Sequence, residues 1–497
     1  WAVLASYMLF GVHESAVRIP GALAAIGTLL YVFRIADLLF GRGAALVAAA
    51  VLCTTARFFV LARKLPIDIL LLFFLTATAC HLLKGLKDGS RAAWLLAGLF
   101  AGLGFLAKGP VAWLIPAGSC LLAMLWTRRW SVSWRQFVPA AVIAAAVAAP
   151  WYWLVYQRHG WAYITPFFTR DNFARFATES FGPSRGPLYY PGVYLVDFFP
   201  WSILGLVALY WFWQERKVDP ELRTSAFALP VTWCALVMVF FSLSRNKQEY
   251  YIAPIYPMMA VLIGGAMTRV GAALQGVPAW AAGRRVWRWS FLAMSLLMLA
   301  LAAILLFALP VLIPDLPPAL AYLPSAGLFL ASLAPLTLTA RSGLRAGFLT
   351  TVVPLYCLYL AAALWFVPAV EPLRPVRELC GVLAEQALPG DPVGYYRVSV
   401  PSMVFYLRRP IFEELDPDAM VRRFRGPERV FCILPELEHN YFVGRRDLVL
   451  YVLDRRPRLI TSLEALLDEN ERVAQELLLV SNRPPGETGE IGAAGIP

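Results

Sequence analysis

The chain has 497 residues, 59% hydrophobic and 15% charged, with a mean hydropathy of +0.62 and a formal net charge of +12. Soluble globular chains average about 45–50% apolar and about 25% charged residues, so this composition excludes a single soluble enzyme, a coiled coil and a disordered tail protein. It predicts a polytopic membrane protein.

Apolar runs of about 18–25 residues can cross a bilayer as helices. The chain carries twelve: 17–38, 43–62, 66–83, 92–107, 109–126, 136–156, 193–213, 224–243, 251–271, 289–313, 319–339 and 346–367. Trp1 to Gly11 reads as the end of an interfacial segment. The chain opens on Trp1 inside an apolar stretch with no signal peptide, so a further N-terminal piece is expected upstream. Loop charges set the orientation: one alternate set of loops carries 16 basic residues, the other nine. The first set is therefore expected in the cytoplasm. The nine outer cations are Arg63, Lys64, Lys108, Arg158, Arg170, Arg175, Arg185, Arg245 and Lys247. They run against the topology rule, which makes them candidates for an anionic-ligand site.

From Pro368 onward there are 20 acids, 16 arginines and no lysine, whereas residues 1–367 hold 28 basic and 12 acidic groups. A membrane domain at 1–367 followed by a soluble domain at 368–483 fits that shift. The basic excess lies between apolar runs, which argues against a nucleic-acid partner. Val393–Val400, Glu428–Leu434, Asp447–Leu453 and Glu476–Val480 read as strands. Pro375–Ala387, Asp416–Phe424 and Ser462–Ala474 read as helices, with Asp416 and Ser462 as N-caps. Residues 484–497, rich in Gly and Pro, read as a disordered tail. Of the seven cysteines, Cys380 and Cys432 fall in the soluble part, either as buried thiols or as a pair in an oxidising compartment.

Five outer segments carry the chemistry. Arg63-Lys64-Leu65-Pro66-Ile67-Asp68 leads into a helix, and Asp68 is either a helix N-cap or an acid held beside cations. Gly-Pro after Lys108 breaks an apolar stretch, leaving that lysine either snorkelling or in contact with a phosphate. A long outer loop, about 36 residues, holds Arg170, Asp171, Asn172, Phe173 and Arg175, then Tyr189 and Tyr190, and ends at Phe199-Pro200-Trp201. Its aromatic faces and polar amides suit a sugar ring, although interfacial rings also serve as anchors. Ser244-Arg245-Asn246-Lys247-Gln248-Glu249-Tyr250-Tyr251 precedes the ninth run, with Arg245 and Lys247 placed to clamp a phosphate. His13, His81, His159 and His439 show no ligand spacing, and no HExxH, GxSxG or Walker pattern occurs, which disfavours a hydrolase or an ATP-driven pump.

ESAVRIP (Glu14–Pro20), RKLPIDILLLFF, GLGFLAKGP, APWYW, RDNFARF, GPLYY…FFPWS and SRNKQEYYIAPIYP follow one another in this order. Together they resemble the bacterial membrane glycosyltransferases of the protein O-mannosyltransferase superfamily (glycosyltransferase family 39/83 type), above all the ArnT-like branch that moves aminoarabinose or related sugars onto lipid A. The resemblance implies a polytopic α-helical membrane protein of GT-C type with about thirteen transmembrane helices, twelve of them visible, and a small C-terminal α/β periplasmic domain. It places the principal catalytic Asp and a Lys-Pro-Pro segment upstream of Trp1. Asp68 matches a second functionally important acid, Lys108 the lysine of the KGP motif, and Arg175 the RF motif near the donor phosphate. Lys247 and Tyr251 match the segment that contacts the carrier-lipid phosphate. Some relatives place a metal-ligating histidine near the RF motif. Asn172 stands in that neighbourhood here, so metal dependence is left open.

The expected activity is transfer of a sugar from a polyprenyl-phosphate donor to lipid A, another glycolipid or a protein, by inverting displacement at the periplasmic face of a bacterial inner membrane. Expected donor-phosphate contacts are Lys108, Arg175, Arg245, Lys247 and Tyr251. Asp171, Asn172, Tyr189 and Tyr190 are expected to face sugar or acceptor. The alternatives are a protein O-mannosyltransferase and, from another class, a lipid or sugar transporter, for which midplane charges and repeated broken helices are the signature.

Overall fold

The computed structural model describes residues 1–63, 67–128, 133–177, 185–218, 226–273, 281–312, 316–333, 343–371, 375–446, 448–458 and 476–485. The chain divides into two compact units, Trp1–Ala361 and Ala362–Pro497.

The first unit is helical because its sequence is a succession of apolar runs punctuated by glycine and by capping residues. Ser90 opens the helix Arg91–Lys108 by accepting from the Ala93 N–H, and Ser133 forms a capping box with Gln136 at the start of Trp134–His159. Among the described residues, six helices are long and apolar enough to cross a membrane: Glu14–Phe40, Ile67–Asp88, Arg91–Lys108, Trp134–His159, Arg285–Val311 and Arg345–Val370. The pair Tyr189–Asp197 and Ser202–Gln214, bent by 112°, makes a seventh if it counts as one span. Four further apolar helices are shorter: Arg42–Cys53, Val111–Thr127, Ala228–Leu243 and Pro318–Ser332. The chain is thus a multi-pass helical membrane protein, and the count of twelve spans exceeds what helix length and hydropathy establish.

Small residues let the helices close on one another. A Cβ at Gly98 would stand 2.2 Å from the Ala140 carbonyl oxygen, so Arg91–Lys108 packs directly against the backbone of Trp134–His159. Ile67–Asp88 runs beside Arg91–Lys108, joined by a two-residue turn at Gly89-Ser90. The start of one therefore lies beside the end of the other.

The second unit holds a five-stranded sheet of β1 (Val393–Tyr396), β2 (Phe412–Glu414), β3 (Phe431–Pro435), β4 (Tyr451–Pro457) and β5 (Glu476–Ser481), in the order β2-β1-β3-β5-β4. β1 pairs in parallel with β2 and β3, whereas β5 pairs antiparallel with β3 and β4. Alternation along β3 sends Phe431 and Ile433 into one apolar cluster and Cys432 and Leu434 into another. The first cluster is completed by helix Val376–Gln386, the second by helices Pro417–Phe424 and Glu436–Arg446.

That alternation settles the cysteines. Cys380 belongs to the first cluster and Cys432 to the second, so the sheet separates them, and both are free thiols. Burial pushes the Cys380 thiol up to about 12. Asp416 caps its helix as expected, accepting from the Asp418 and Ala419 N–H groups. The expected strand Asp447–Leu453 forms later, at Tyr451–Pro457, and β2 and the helix Glu436–Arg446 were not anticipated. The expected helix Ser462–Ala474 and nearly all of the expected tail 484–497 lie outside the described residues.

Candidate active site

Asp68 sits in the first turn of Ile67–Asp88, and Lys108 is the last residue of Arg91–Lys108. Gly109 ends that helix at φ 75, a conformation that favours glycine, and its N–H bonds the Phe105 carbonyl at 2.7 Å. Lys108 Nζ donates to Asp68 Oδ1. The same ammonium stands 5.0 Å from the Tyr250 ring centre and 5.1 Å from that of Tyr251. Each such cation–π contact is worth about 0.5–1 kcal/mol at an exposed site. Lys108 therefore does more than snorkel, and Asp68 is held by a cation as well as by its helix start.

The two tyrosines belong to a single turn, Glu249–Ile252, that follows the segment 244–248. That segment is stitched to the RF motif: the Arg245 N–H donates to the Phe176 carbonyl at 2.9 Å, and Ser244 Oγ donates to the same oxygen at 3.4 Å. Phe176 stacks on Phe240 with ring centres 4.9 Å apart. Arg185 Nη1 donates to the Lys247 carbonyl at 3.2 Å and to the Tyr189 hydroxyl, with its guanidinium 4.5 Å from the Tyr189 ring centre. The Tyr190 hydroxyl donates to the Gln248 carbonyl at 3.1 Å. Lys247 is buried, and its ammonium bonds the Ser244 carbonyl, at the C-terminal end of helix Ala228–Leu243. The Arg245 side chain is exposed.

The structure thus joins Asp68, Lys108, Tyr251, Arg245, Lys247, Tyr189 and Tyr190 through a chain of contacts. The Arg175 backbone adjoins it through Phe176, while the side chains of Asp171, Asn172 and Arg175 lie outside the described residues. The expected outer loop is helical in its first half: helix Trp161–Pro166 runs into a π-helical turn, Phe167–Ala174, and then Arg175–Ala177. Such turns are frequent at functional sites.

Four residues were not anticipated as part of this cluster: Arg57, Asp197, Glu249 and Tyr256. Arg57 grips Asp197 with two hydrogen bonds of 2.7 Å, Nε to Oδ2 and Nη2 to Oδ1, and Nη2 also reaches Glu249 Oε2 at 2.8 Å. The Tyr256 hydroxyl donates to Asp197 Oδ2 at 3.1 Å. Removing one partner of such a buried pair leaves an uncompensated charge, at about 3–5 kcal/mol. The signal was present in the sequence: Arg57 lies within run 43–62 and Asp197 within run 193–213. A charge inside an apolar run is costly unless paired. Among the described residues no three His, Cys, Asp or Glu side chains come together as a metal site, so no metal role is assigned to any of them.

Residues 1–153 match the family described as Dolichyl-phosphate-mannose-protein mannosyltransferase. The structure of ArnT from Cupriavidus metallidurans bound to undecaprenyl phosphate superposes with a TM-score of 0.75 at 20% identity, covering 97% of this chain and 87% of that one. The chain has the ArnT fold. The apo form of the same protein gives 0.74 at 20% identity, over 97% of this chain and 86% of its own. An undecaprenyl phosphate-alpha-4-amino-4-deoxy-L-arabinose arabinosyl transferase of Pseudomonas aeruginosa is 32% identical over 278 residues, 54% of this chain and 49% of that protein. One from Erwinia tasmaniensis is 30% identical over 264 residues, 51% of this chain and 46% of that protein. The chain spans about half the length of these relatives. The resemblance carried by the ordered motifs is borne out: the ArnT-like architecture extends well beyond the residues that match the family.

Proposed function

We propose that this chain transfers a sugar from an undecaprenyl-phosphate-linked donor to a lipid acceptor by direct displacement with inversion, at the periplasmic face of a bacterial inner membrane. The observation that carries this reading is the cluster of Asp68, Lys108, Tyr250 and Tyr251 in a chain with the ArnT fold. A solved ArnT binds undecaprenyl phosphate, and the similar Pseudomonas protein is described as an arabinosyl transferase using such a carrier. All twelve apolar runs cross the bilayer in this reading, with the shorter helices spanning together with their flanking turns. Residues 1–367 form the membrane part and 368–483 the soluble part.

A sugar leaves a polyprenyl phosphate readily only if the departing phosphate is charge-stabilised, more strongly in the transition state than before it. Lys108 supplies that charge from the interface, and Arg175 and Arg245 are assigned to add to it. Lys247 reaches the phosphate only by releasing the Ser244 carbonyl. Tyr251 offers a hydroxyl to the phosphate. Asp68 aims Lys108 before the donor binds and is released when the phosphate draws the ammonium away. A freed carboxylate can then take the proton of an acceptor hydroxyl as it attacks the anomeric carbon. Asp171, Asn172, Tyr189 and Tyr190 border the sugar and the acceptor.

The family match favours a second reading, a protein O-mannosyltransferase, which shares the site and differs in the acceptor. Proteoliposomes holding the full chain and a radiolabelled undecaprenyl-phosphate sugar separate the outcomes. Label appearing covalently on a glycolipid supports the proposal, and label on protein supports the second reading. Label that crosses the bilayer with no covalent transfer shows a transporter and ends both.

A further inference from the structure

We infer that Arg57 is the positioning residue of this site: its guanidinium ties the tyrosine-bearing turn Glu249–Ile252 to the buried carboxylate of Asp197, and so sets the two rings against which Lys108 stands. The inference rests on the reading of Lys108 as the donor-phosphate contact.

Asp197 is a fixed anchor. Its side chain is 7% exposed, and its two oxygens take two hydrogen bonds from Arg57 and one from the fully buried Tyr256. Glu249 is the opposite kind of group, 53% exposed and lodged in no core. Arg57 Nη2 bridges the two, at 2.7 Å to Asp197 and 2.8 Å to Glu249. A planar guanidinium directs its hydrogens in a rigid fork, which a lysine ammonium cannot reproduce. Tyr250 and Tyr251 follow Glu249 directly, in a turn closed by bonds from the Tyr251 N–H to the Gln248 carbonyl and from the Ala253 N–H to the Tyr250 carbonyl, both 3.1 Å. Arg185 and Tyr190 hold the carbonyls of Lys247 and Gln248 on the other side. Arg57 is thus the polar tether of the turn, acting beside the buried Ile252 and the packing of the Tyr251 ring on Phe241, 5.3 Å between ring centres. Loss of that tether lets both rings shift relative to Lys108 while the segment before them stays in place. A misplacement of about 1 Å at a reacting centre costs on the order of 100-fold in rate.

The test uses the full chain in lipid nanodiscs and three variants: Arg57→Lys, Glu249→Gln and the double variant. Glu249→Gln changes an exposed group and keeps its shape, so it leaves the fold intact even if Arg57→Lys does not. The first readout is hydrogen exchange of the amides at 249–253, which is independent of any activity. Both single variants are expected to speed that exchange while the rest of the helical unit stays at the wild-type rate. The second readout is the affinity for undecaprenyl phosphate, expected to weaken about tenfold in Arg57→Lys and about threefold in Glu249→Gln. The double variant should be no worse than Arg57→Lys alone, because both act through one contact. Wild-type exchange at 249–253 in Glu249→Gln, or additive losses in the double variant, overturns the inference. If the wild-type chain does not bind undecaprenyl phosphate, the functional reading fails, and the exchange result still decides whether the tether exists.

Discussion

In the helical unit three ion pairs join residues far apart in the chain: Asp68 to Lys108 across 40 positions, Arg57 to Asp197 across 140, and Arg57 onward to Glu249 across 192. In the sheet unit the ion pairs stand in solvent, with Arg422 72% exposed and Arg455 52% exposed, while the interior is two apolar clusters. The first unit uses paired charge to fix geometry at one place. The second draws its stability from apolar burial and keeps its ion pairs toward solvent. Substitutions of charge should therefore damage function in the first unit and do little in the second, with the reverse for apolar truncations.

The sharpest way to break that contrast lies in the sheet. Leu479 is fully buried between β3 and β4 and pairs with Ile433 across the antiparallel ladder. Leu479→Ala should cost about 2–5 kcal/mol through lost transfer energy and the cavity left behind. Hydrogen exchange of the amides at 431–434 in the full chain reads that loss, and binding of undecaprenyl phosphate should be retained. Next in size is Lys108→Ala, expected to lower kcat/KM about 100-fold, or about 2.7 kcal/mol of transition-state stabilisation, with a normal thermal transition. A Lys108→Ala protein that transfers sugar at the wild-type rate ends the phosphate role. Asp416→Ala removes a helix cap and should cost about 1 kcal/mol, visible in the exchange of helix Pro417–Phe424 alone.

The helices were legible because a membrane span writes itself as an apolar run, and each of the twelve runs overlaps a helix of the structure. Lys108 and Asp68 were legible because a charge at the boundary of such a run stands out. Arg57 and Asp197 were not read as part of the site, because each sits inside its run and its partner is 140 positions away. Only the fold pairs them. Glu249 was visible merely as one letter of a charged segment. In the sheet unit β2 has three residues, Phe-Glu-Glu, too few to show alternation, and helix Glu436–Arg446 is polar enough to read as loop. The split of Cys380 and Cys432 between two faces depends on strand pairing, which local composition does not encode.

The smallest expected effect tests the contrast from the other side. Arg455 hydrogen-bonds Glu436 and lies in ion-pair contact with Glu476, both at 3.0 Å, and so ties helix Glu436–Arg446 to the edge of the sheet. Those contacts are only slightly longer than the 2.7 and 2.8 Å contacts of Arg57. The Arg455 side chain is half exposed, however, so water solvates the three charges almost as well apart as together, and ordering a long arginine offsets part of the gain. Exposed pairs of this kind contribute about 0–1 kcal/mol. Arg455→Ala should accordingly shift the stability of the sheet unit by less than about 0.5 kcal/mol, and the difference should vanish in about 1 M salt, where the screening length falls to about 3 Å. Exchange of the β4 and β5 amides at low and high salt reads it directly. A loss as large as that of Leu479→Ala, unchanged by salt, would mean that the sheet unit also relies on enclosed charge, and the division of labour between the two units would fail.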